Sequence, residues 1–367
     1  MITLDGSYGE GGGALVRTAL ALSALTGQEF TVTNIRSGRE QPGLKAQHLT
    51  AITAFQEICQ AETNAITIGS SELWFKPGKI RSGTYPIDIG TAGSITLLLQ
   101  AVLLPGLFAP GKITFAITGG TCGKWQASVD YLQNILLPQL RKFVKRIELQ
   151  IIKRGYYPKG GGQIILEISP KIHTKDFTDQ KKFFQELQQH VPAMSLTSPE
   201  KWEQIRGIIN LSKELQEKEV GERIKTAAEK TLKSSRLPTA IRIEYVDSRS
   251  VGGEVLLWAV GTKDDDVDVN NPVLLGSDVL IEKSKTSEQI GTEVAEKLLR
   301  EINSGFPVDP HLADMLIPFL ALRPGSVLAT REITPHALTN MHVVEQFLPV
   351  MFDYDQHTIT VRLKENL

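Results

Sequence analysis

Cysteine is scarce in this chain: Cys59 and Cys122 are the whole complement, too few for a disulfide scaffold and matching no spaced zinc motif. A reducing, cytoplasmic setting is the expectation. Net charge is nearly absent as well. Forty basic residues against forty-one acidic ones leave a formal charge of −1, so any grip on a polyanion has to come from a local cluster of cations. Long apolar runs are missing too. The most apolar window, Ile95 to Ala109, falls short of the ~20 residues of a membrane helix and contains Gln100 and Pro105. It reads as a buried helix, and no membrane association is expected. The opening MITLDGSYGEGGG has acids and glycines where a secretory signal needs a basic stretch and an apolar run, so the chain is expected to be mature from its first residue. What is present, 41% hydrophobic and 22% charged residues in 367, is ordinary globular composition with length for a large core in two domains.

Hydrophobic periodicity predicts a strand at 2–5, a helix at 11–26, a strand at 30–36, a helix at 43–60, and strands near 65–69 and 72–76. The order recurs as strand 86–89, helix 93–104, strand 112–118, helix 127–145, and strands near 147–153 and 163–169. A repeat of about eighty residues implies one architecture copied around a shared core. After Pro310 a third copy follows: helix 311–321, strand 326–332, helix 337–347, and strands near 349–354 and 357–363, without an obvious first strand. Residues 181–305 interrupt the pattern and read as an inserted domain, leaving 1–180 plus 306–367 as the repeat domain. Within the insertion an apolar run at 206–212, helices at 219–233 and 286–303, and strands at 239–246 and 254–262 are predicted. The polar stretch from Thr174 to Gln204 is expected to be partly flexible.

Four strings carry candidate chemistry. Gly-Glu-Gly-Gly-Gly at 9–13 opens a helix carrying Arg17. Glycines at a helix start let backbone N–H groups approach an anion, and Glu10 is placed to hold the metal that accompanies nucleotide phosphates. The same string also reads as a plain strand-to-helix turn. Residues 35–48, IRSGREQPGLKAQH, crowd Arg36, Arg39 and Lys45 beside Gln47 in one connection. Guanidinium forks suit phosphate oxygens, though a solvated basic loop has the same composition. GTAGS at 90–94 precedes a helix bearing Gln100, whose amide needs partners if buried. RGYYPKGGGQI at 154–164 joins two strands through three consecutive glycines, which cost chain entropy unless the backbone takes positive φ or touches something closely.

These strings, with HLADMLIPFLAL at 311–322 and HALTNMHVVEQFLP at 336–349, resemble the RNA 3′-terminal phosphate cyclase family over nearly the whole chain. The resemblance is weakest from about 171 to 285. It implies an α/β (α+β) fold: a large domain of three βαβαββ repeats, similar to enolpyruvyl-transferase folds, with a smaller inserted α/β domain. It also implies ATP and a divalent metal (Mg or Mn), with RNA bearing a 3′-phosphate as partner. Motif by motif, His336 falls on the nucleotidylated histidine and Glu10 on the metal-binding acid. Arg17, Arg36, Arg39 and Gln47 fall near the phosphates or RNA. Gln100 and the run His311, Leu312, Ala313, Asp314, Met315 fall on nucleotide-contacting positions.

Two departures stand out. Met315 replaces the glutamine usual after the Ala-Asp pair, and residues 119–128 lack the usual prolines, with Lys124 and Trp125 offering a cation and a stacking surface or a partly buried loop aromatic. His48 and His342 are expected to be structural. The activity implied is ATP-dependent conversion of an RNA 3′-phosphate to a 2′,3′-cyclic phosphate through histidyl-AMP and RNA-adenylate intermediates. The alternatives are a non-catalytic relative acting as a scaffold in ribosome assembly, which should lack the nucleophile, and an enolpyruvyl-type transferase acting on a small metabolite.

Overall fold

A computed structural model describes residues 1–90, 92–124, 126–174, 180–199, 201–262 and 268–364. The first repeat runs β1 (Ile2–Asp5), α1 (Gly13–Thr26), β2 (Phe30–Thr33), α2 (Ala46–Cys59), β3 (Glu62–Thr63) and β4 (Leu73–Lys76), and its sheet has the order β1-β2-β4-β3. The second runs β5 (Gly83–Asp88), α3 (Ile95–Gly106), β6 (Ile113–Gly119), α4 (Val129–Tyr131), α5 (Leu137–Leu140), β7 (Val144–Lys153) and β8 (Gly162–Pro170), with the matching order β5-β6-β8-β7. In both, the first two strands are parallel and the remaining pairings antiparallel. Strand β6 shows how sequence makes such a layer: Ile113, Phe115 and Ile117 point into the core while the residues between them are partly exposed.

The chain continues through α6 (Gln180–His190), β9 (Ser195–Leu196), β10 (Lys201–Ser212), α7 (Val220–Leu232), β11 (Thr239–Val246), β12 (Gly253–Thr262), β13 (Val273–Leu280) and α8 (Ser287–Ser304). It ends with α9 (Pro310–Leu320), β14 (Val327–Ala329), α10 (Pro335–Phe347), β15 (Val350–Tyr354) and β16 (Thr358–Leu363). The third sheet has the order β15-β16-β14-β9, so the first strand that periodicity missed is the two-residue β9, parallel to β14. Two residues carry no period. Everything between β9 and α9 is spliced into this repeat.

That spliced segment forms a fourth sheet, β11-β10-β12-β13, with α7 and α8 against one face. Strands β12 and β13 are buried on both sides, whereas the edge strand β11 is largely half-buried or exposed. Val255, Leu257 and Ala259 of β12 join the core under α7 and α8, while Leu256 and Trp258 join the main core of the three repeats. Period-two alternation therefore sends one strand into two cores, and β12 reads as a continuous apolar run. A buried ion cluster pins the seam: Arg154 pairs with Asp130 and lies 3.2 Å from Glu254 of β12, all three nearly inaccessible.

Besides the strand expected near 65–69, where the chain is coil and turn and β3 falls at Glu62–Thr63, three expectations need correction. The helix expected at 127–145 is broken, with a π turn at Leu132–Leu136 between α4 and α5 and a 3₁₀ turn at Arg141–Phe143. Pro138 in the second position of α5 has no N–H for the helical ladder, which accounts for the widening just before it. In the polar stretch 174–204, residues 180–190 form α6, whose Phe183, Phe184 and Leu187 enter the main core, and 195–196 form β9. Residues 175–179 and 200 of that stretch lie outside the described residues. Finally, β13 was hidden by the polar Gly276-Ser277-Asp278 at its centre. Asp278 is half-buried there and accepts the Ser128 N–H at 2.8 Å.

Candidate functional site

Helices from all three repeats converge. Arg17 of α1 donates to Gln100 Oε1 of α3 at 3.4 Å, and Thr18 donates to Asn340 Oδ1 of α10 at 2.8 Å. Asn340 donates in turn to the backbone oxygen of Asp314 in α9 at 3.1 Å. The Gln100 amide, odd in an apolar helix, thus has its partner in Arg17.

At this junction α1 begins after Gly12, with no side chain capping it, so its first N–H groups face outward as an anion-binding end. The start of α10 lies opposite. Thr334 caps α10 by accepting the Ala337 N–H at 3.1 Å and donates its own hydroxyl to Asp314 Oδ1 at 2.5 Å. Pro335 occupies the first helical position and presents His336 next. His336 Nδ1 sits 2.8 Å from Glu10 Oε1, and Arg39 Nη2 sits 3.4 Å from Glu10 Oε2. Although close enough to pair ionically, Glu10 Oε1 is buried and makes no aligned hydrogen bond. The buried Nε donors of Arg17 and Arg36 also lack partners. Arg36 holds a left-handed backbone, φ 55°, an unusual conformation for a side chain of its kind.

These contacts set protonation. The adjacent Glu10 carboxylate raises the His336 pKa above its ordinary value, against some opposition from burial. For Glu10, burial pushes upward, but His336, Arg39 and Arg17 outweigh it and hold the carboxyl below its usual range. Burial lowers Arg17 to about 10, which leaves it cationic at neutral pH, and burial with the neighbouring Arg39 lowers Arg36. Asp314 is raised to about 6 by burial.

Glu10, Arg17, Arg36, Arg39, Gln47 and His336 line one open cavity of about 1210 Å³. A side recess of about 100 Å³ opens beside it, walled by Leu97, Gln100, Leu136, Met315 and Phe319, with His311 and Asp314 at its polar edge. The structure thus gathers nearly all the residues singled out from sequence. Leu312 and Ala313 are the exceptions: both are fully buried in the core and line neither space. Lys124 lines the cavity but is neutralised by Glu282 at 2.8 Å, and Trp125 lies outside the described residues, as does Thr91 of the GTAGS turn.

Two further features complete the surroundings, the first of them a histidine expected to be structural. His48 is fully buried against the glycine loop; its Nδ1 accepts the Lys45 N–H at 2.9 Å, leaving the proton on an unpartnered Nε2. Burial, with Arg17, Arg36 and Lys45 nearby, lowers its pKa to about 3 and keeps it neutral. A Cβ on Gly13 would collide with that ring, so the glycine is required by packing. His342, by contrast, stacks on Tyr8 with ring centroids 3.8 Å apart. The second feature is the far wall of the cavity, which the spliced segment supplies through Val251, Gly252, Gly253, Ile281 and Glu282.

A half-exposed imidazole, a carboxylate and three guanidinium groups against an uncapped helix start define a protein that handles phosphorylated substrates, since fixed cationic donors are what phosphate charge demands. Residues 8–354 match the family model described as RNA 3′-terminal phosphate cyclase, and the chain belongs to that family. Relatives named RNA 3′-terminal phosphate cyclase include one from Methanopyrus kandleri, 40% identical over 95% of this chain and 94% of the relative. One from Archaeoglobus fulgidus is 38% identical over 99% of this chain and all of the relative, and one from Methanosarcina acetivorans is 39% identical over 97% of each. Among the described residues no helix is long and apolar enough to cross a membrane.

Proposed function

We propose that this chain converts RNA 3′-terminal phosphates into 2′,3′-cyclic phosphates with ATP as co-substrate, by way of an adenylated His336. The observation that carries this reading is His336 beside Glu10 in a cavity lined by Arg17, Arg36 and Arg39. A phosphate monoester does not cyclise by itself because oxide is a very poor leaving group. Joined to AMP, it acquires one. With Nδ1 turned toward Glu10, the free lone pair of neutral His336 is on Nε2, which attacks the α-phosphorus of ATP and displaces pyrophosphate. An oxygen of the RNA 3′-phosphate then attacks the same phosphorus, breaking the P–N bond and forming the anhydride. The neighbouring 2′-hydroxyl closes on the 3′-phosphorus, loses its proton and releases AMP. That last step is intramolecular, where effective molarities reach roughly 10⁵ M or more.

Histidine suits the carrier role. An imidazole of ordinary pKa ~6.5 is largely neutral at pH 7, whereas a lysine near ~10.4 must lose a proton at a cost of ~4 to 5 kcal/mol. A divalent ion fits Glu10 when nucleotide phosphates supply further oxygens: Oε1 is a buried oxygen without an aligned partner, and no group of three His, Cys, Asp or Glu forms an all-protein site among the described residues. Bound there, Mg²⁺ or Mn²⁺ supplies charge neutralisation to the phosphates. The arginines do the same, and the unpartnered Nε donors of Arg17 and Arg36 suit phosphate oxygens. The recess under Met315 takes the adenine. A ribosome-assembly scaffold has no need of an accessible imidazole here, and a small-metabolite transferase leaves most of the cavity unfilled.

The test is end chemistry. With ATP and a divalent metal, a 3′-phosphorylated oligoribonucleotide is expected to become resistant to phosphatase while AMP is released. A 3′-phosphate that stays phosphatase-sensitive under all common divalent metals would sink the reading. Asp314→Ala tests the nucleotide recess, because it removes both a polar edge and the acceptor of the Thr334 hydroxyl. The KM for ATP is expected to rise on the order of tenfold, with a melting temperature within a few degrees of wild type. An unchanged KM takes Asp314 out of the site.

A further inference from the structure

The string RGYYPKGGG is explained only in part by the chemistry above, since none of its residues touches His336 or Glu10. We infer that the β7–β8 connection and the β11–β12 connection of the spliced segment together form a docking platform for the single-stranded RNA leading into the site. Tyr157 is its stacking surface, and Arg249 and Lys159 are its backbone contacts. This rests on the reading of the chain as acting on RNA ends.

Three observations carry it. First, Tyr157 is 80% exposed and Val251 50% exposed, and both line the cavity that holds His336. An aromatic left this open to water at the mouth of a phosphate-handling cavity is a base-stacking surface, which every base can use because each has a π-face. Second, the two connections are built as one unit although they come from different sheets. The Lys159 N–H donates to Ser250 Oγ at 3.1 Å, and Gly160 and Gly161 turn the chain with φ of 59° and 77°. A Cβ on Gly161 would strike the Arg249 side chain, so the glycine lets that side chain lie across the turn. Third, Arg249 and Lys159 are exposed and form no ion pair among the described residues, whereas Arg154 and Lys124 nearby are paired with carboxylates. Unpaired cations flanking an open aromatic track a nucleic-acid backbone.

Size agrees. The cavity, about 1210 Å³, exceeds the roughly 300–1,000 Å³ of a small-molecule pocket, leaving room for nucleotide and RNA end together. The platform therefore holds the nucleotides upstream of the terminal one.

Binding of a 5′-fluorescein decaribonucleotide carrying a 3′-phosphate, followed by anisotropy over a range of salt, reads the platform without catalysis. Tyr157→Ala is expected to weaken this binding at least about fivefold, the lower end for loss of one stacked base, and Tyr157→Phe to restore it. Arg249→Ala and Lys159→Ala should each flatten the dependence of log Kd on log salt by about 0.7. Competition by uridine 3′-phosphate, too short to reach the platform, should be alike in all five proteins. Self-labelling of the wild type with α-³²P-ATP, done in parallel, separates the two ideas. A labelled wild type with decamer Kd and salt slope unchanged in every variant overturns the platform alone. An unlabelled wild type whose decamer binding still depends on Tyr157 supports the platform and removes the adenylation reading.

Discussion

His336→Ala is expected to take up no label from α-³²P-ATP, a loss on the order of 10⁴-fold or more, and to lose cyclisation with it. In the proposed mechanism, removing the nucleophile deletes the covalent intermediate, and positioned cations alone do not replace it. The fold should be unaffected, because the His336 side chain is 51% exposed and, among the described residues, its ion-pair partner is Glu10. Wild-type label should be lost in acid and persist in alkali, the behaviour of a phosphoramidate. Equal labelling of the variant would assign the nucleophile elsewhere.

Glu10→Gln is the second large effect, and its signature is in the pH profile. Glu10 holds His336 above its ordinary pKa, so in the free wild-type enzyme the neutral, nucleophilic imidazole becomes scarce as pH falls. Its kcat/KM for self-labelling should therefore rise with pH to an inflection above ~6.5. Glutamine keeps the shape and removes the charge. Burial and Arg17 then act on His336 without their main opponent, and the inflection moves to lower pH. The plateau should fall roughly 10²-fold, because the carboxylate proposed to hold the nucleotide's metal is gone and the phosphates would lose that neutralisation. Wild type and variant thus differ most at high pH and least at low pH. Since Glu10 and His336 interact, the inflection belongs to the pair. A variant with wild-type plateau and an unmoved inflection would detach Glu10 from both roles.

Much of this architecture is legible locally. The helix of α8 is announced by Thr286 and Gln289, which form a capping box, and by apolar residues on one face. The strand at 239–246 matches β11 in both bounds. Failures fall where local signals conflict with packing: Pro138 interrupting a helix, Asp278 inside a strand, and the amphipathic α6 masked by its polar residues. In the site, the Gly-rich and basic strings pointed to Glu10 and the three arginines and the family resemblance pointed to His336, but neither could orient side chains. Helical geometry turns Leu312 and Ala313 into the core while His311, Asp314 and Met315 reach the recess.

By itself the sequence determined most of the segments that are helix or strand, the repeated order of elements and the residue types that line the cavity, because those are set by period and by chemistry within short windows. Only the tertiary structure decided that β9 completes the third sheet across the spliced segment, that Glu10 meets His336, and that the loops bearing Tyr157 and Arg249 share one cavity. Those pairings join residues far apart in the chain. They form only once three repeats and the spliced sheet bury their apolar faces against one another, and no local pattern encodes where such faces will close.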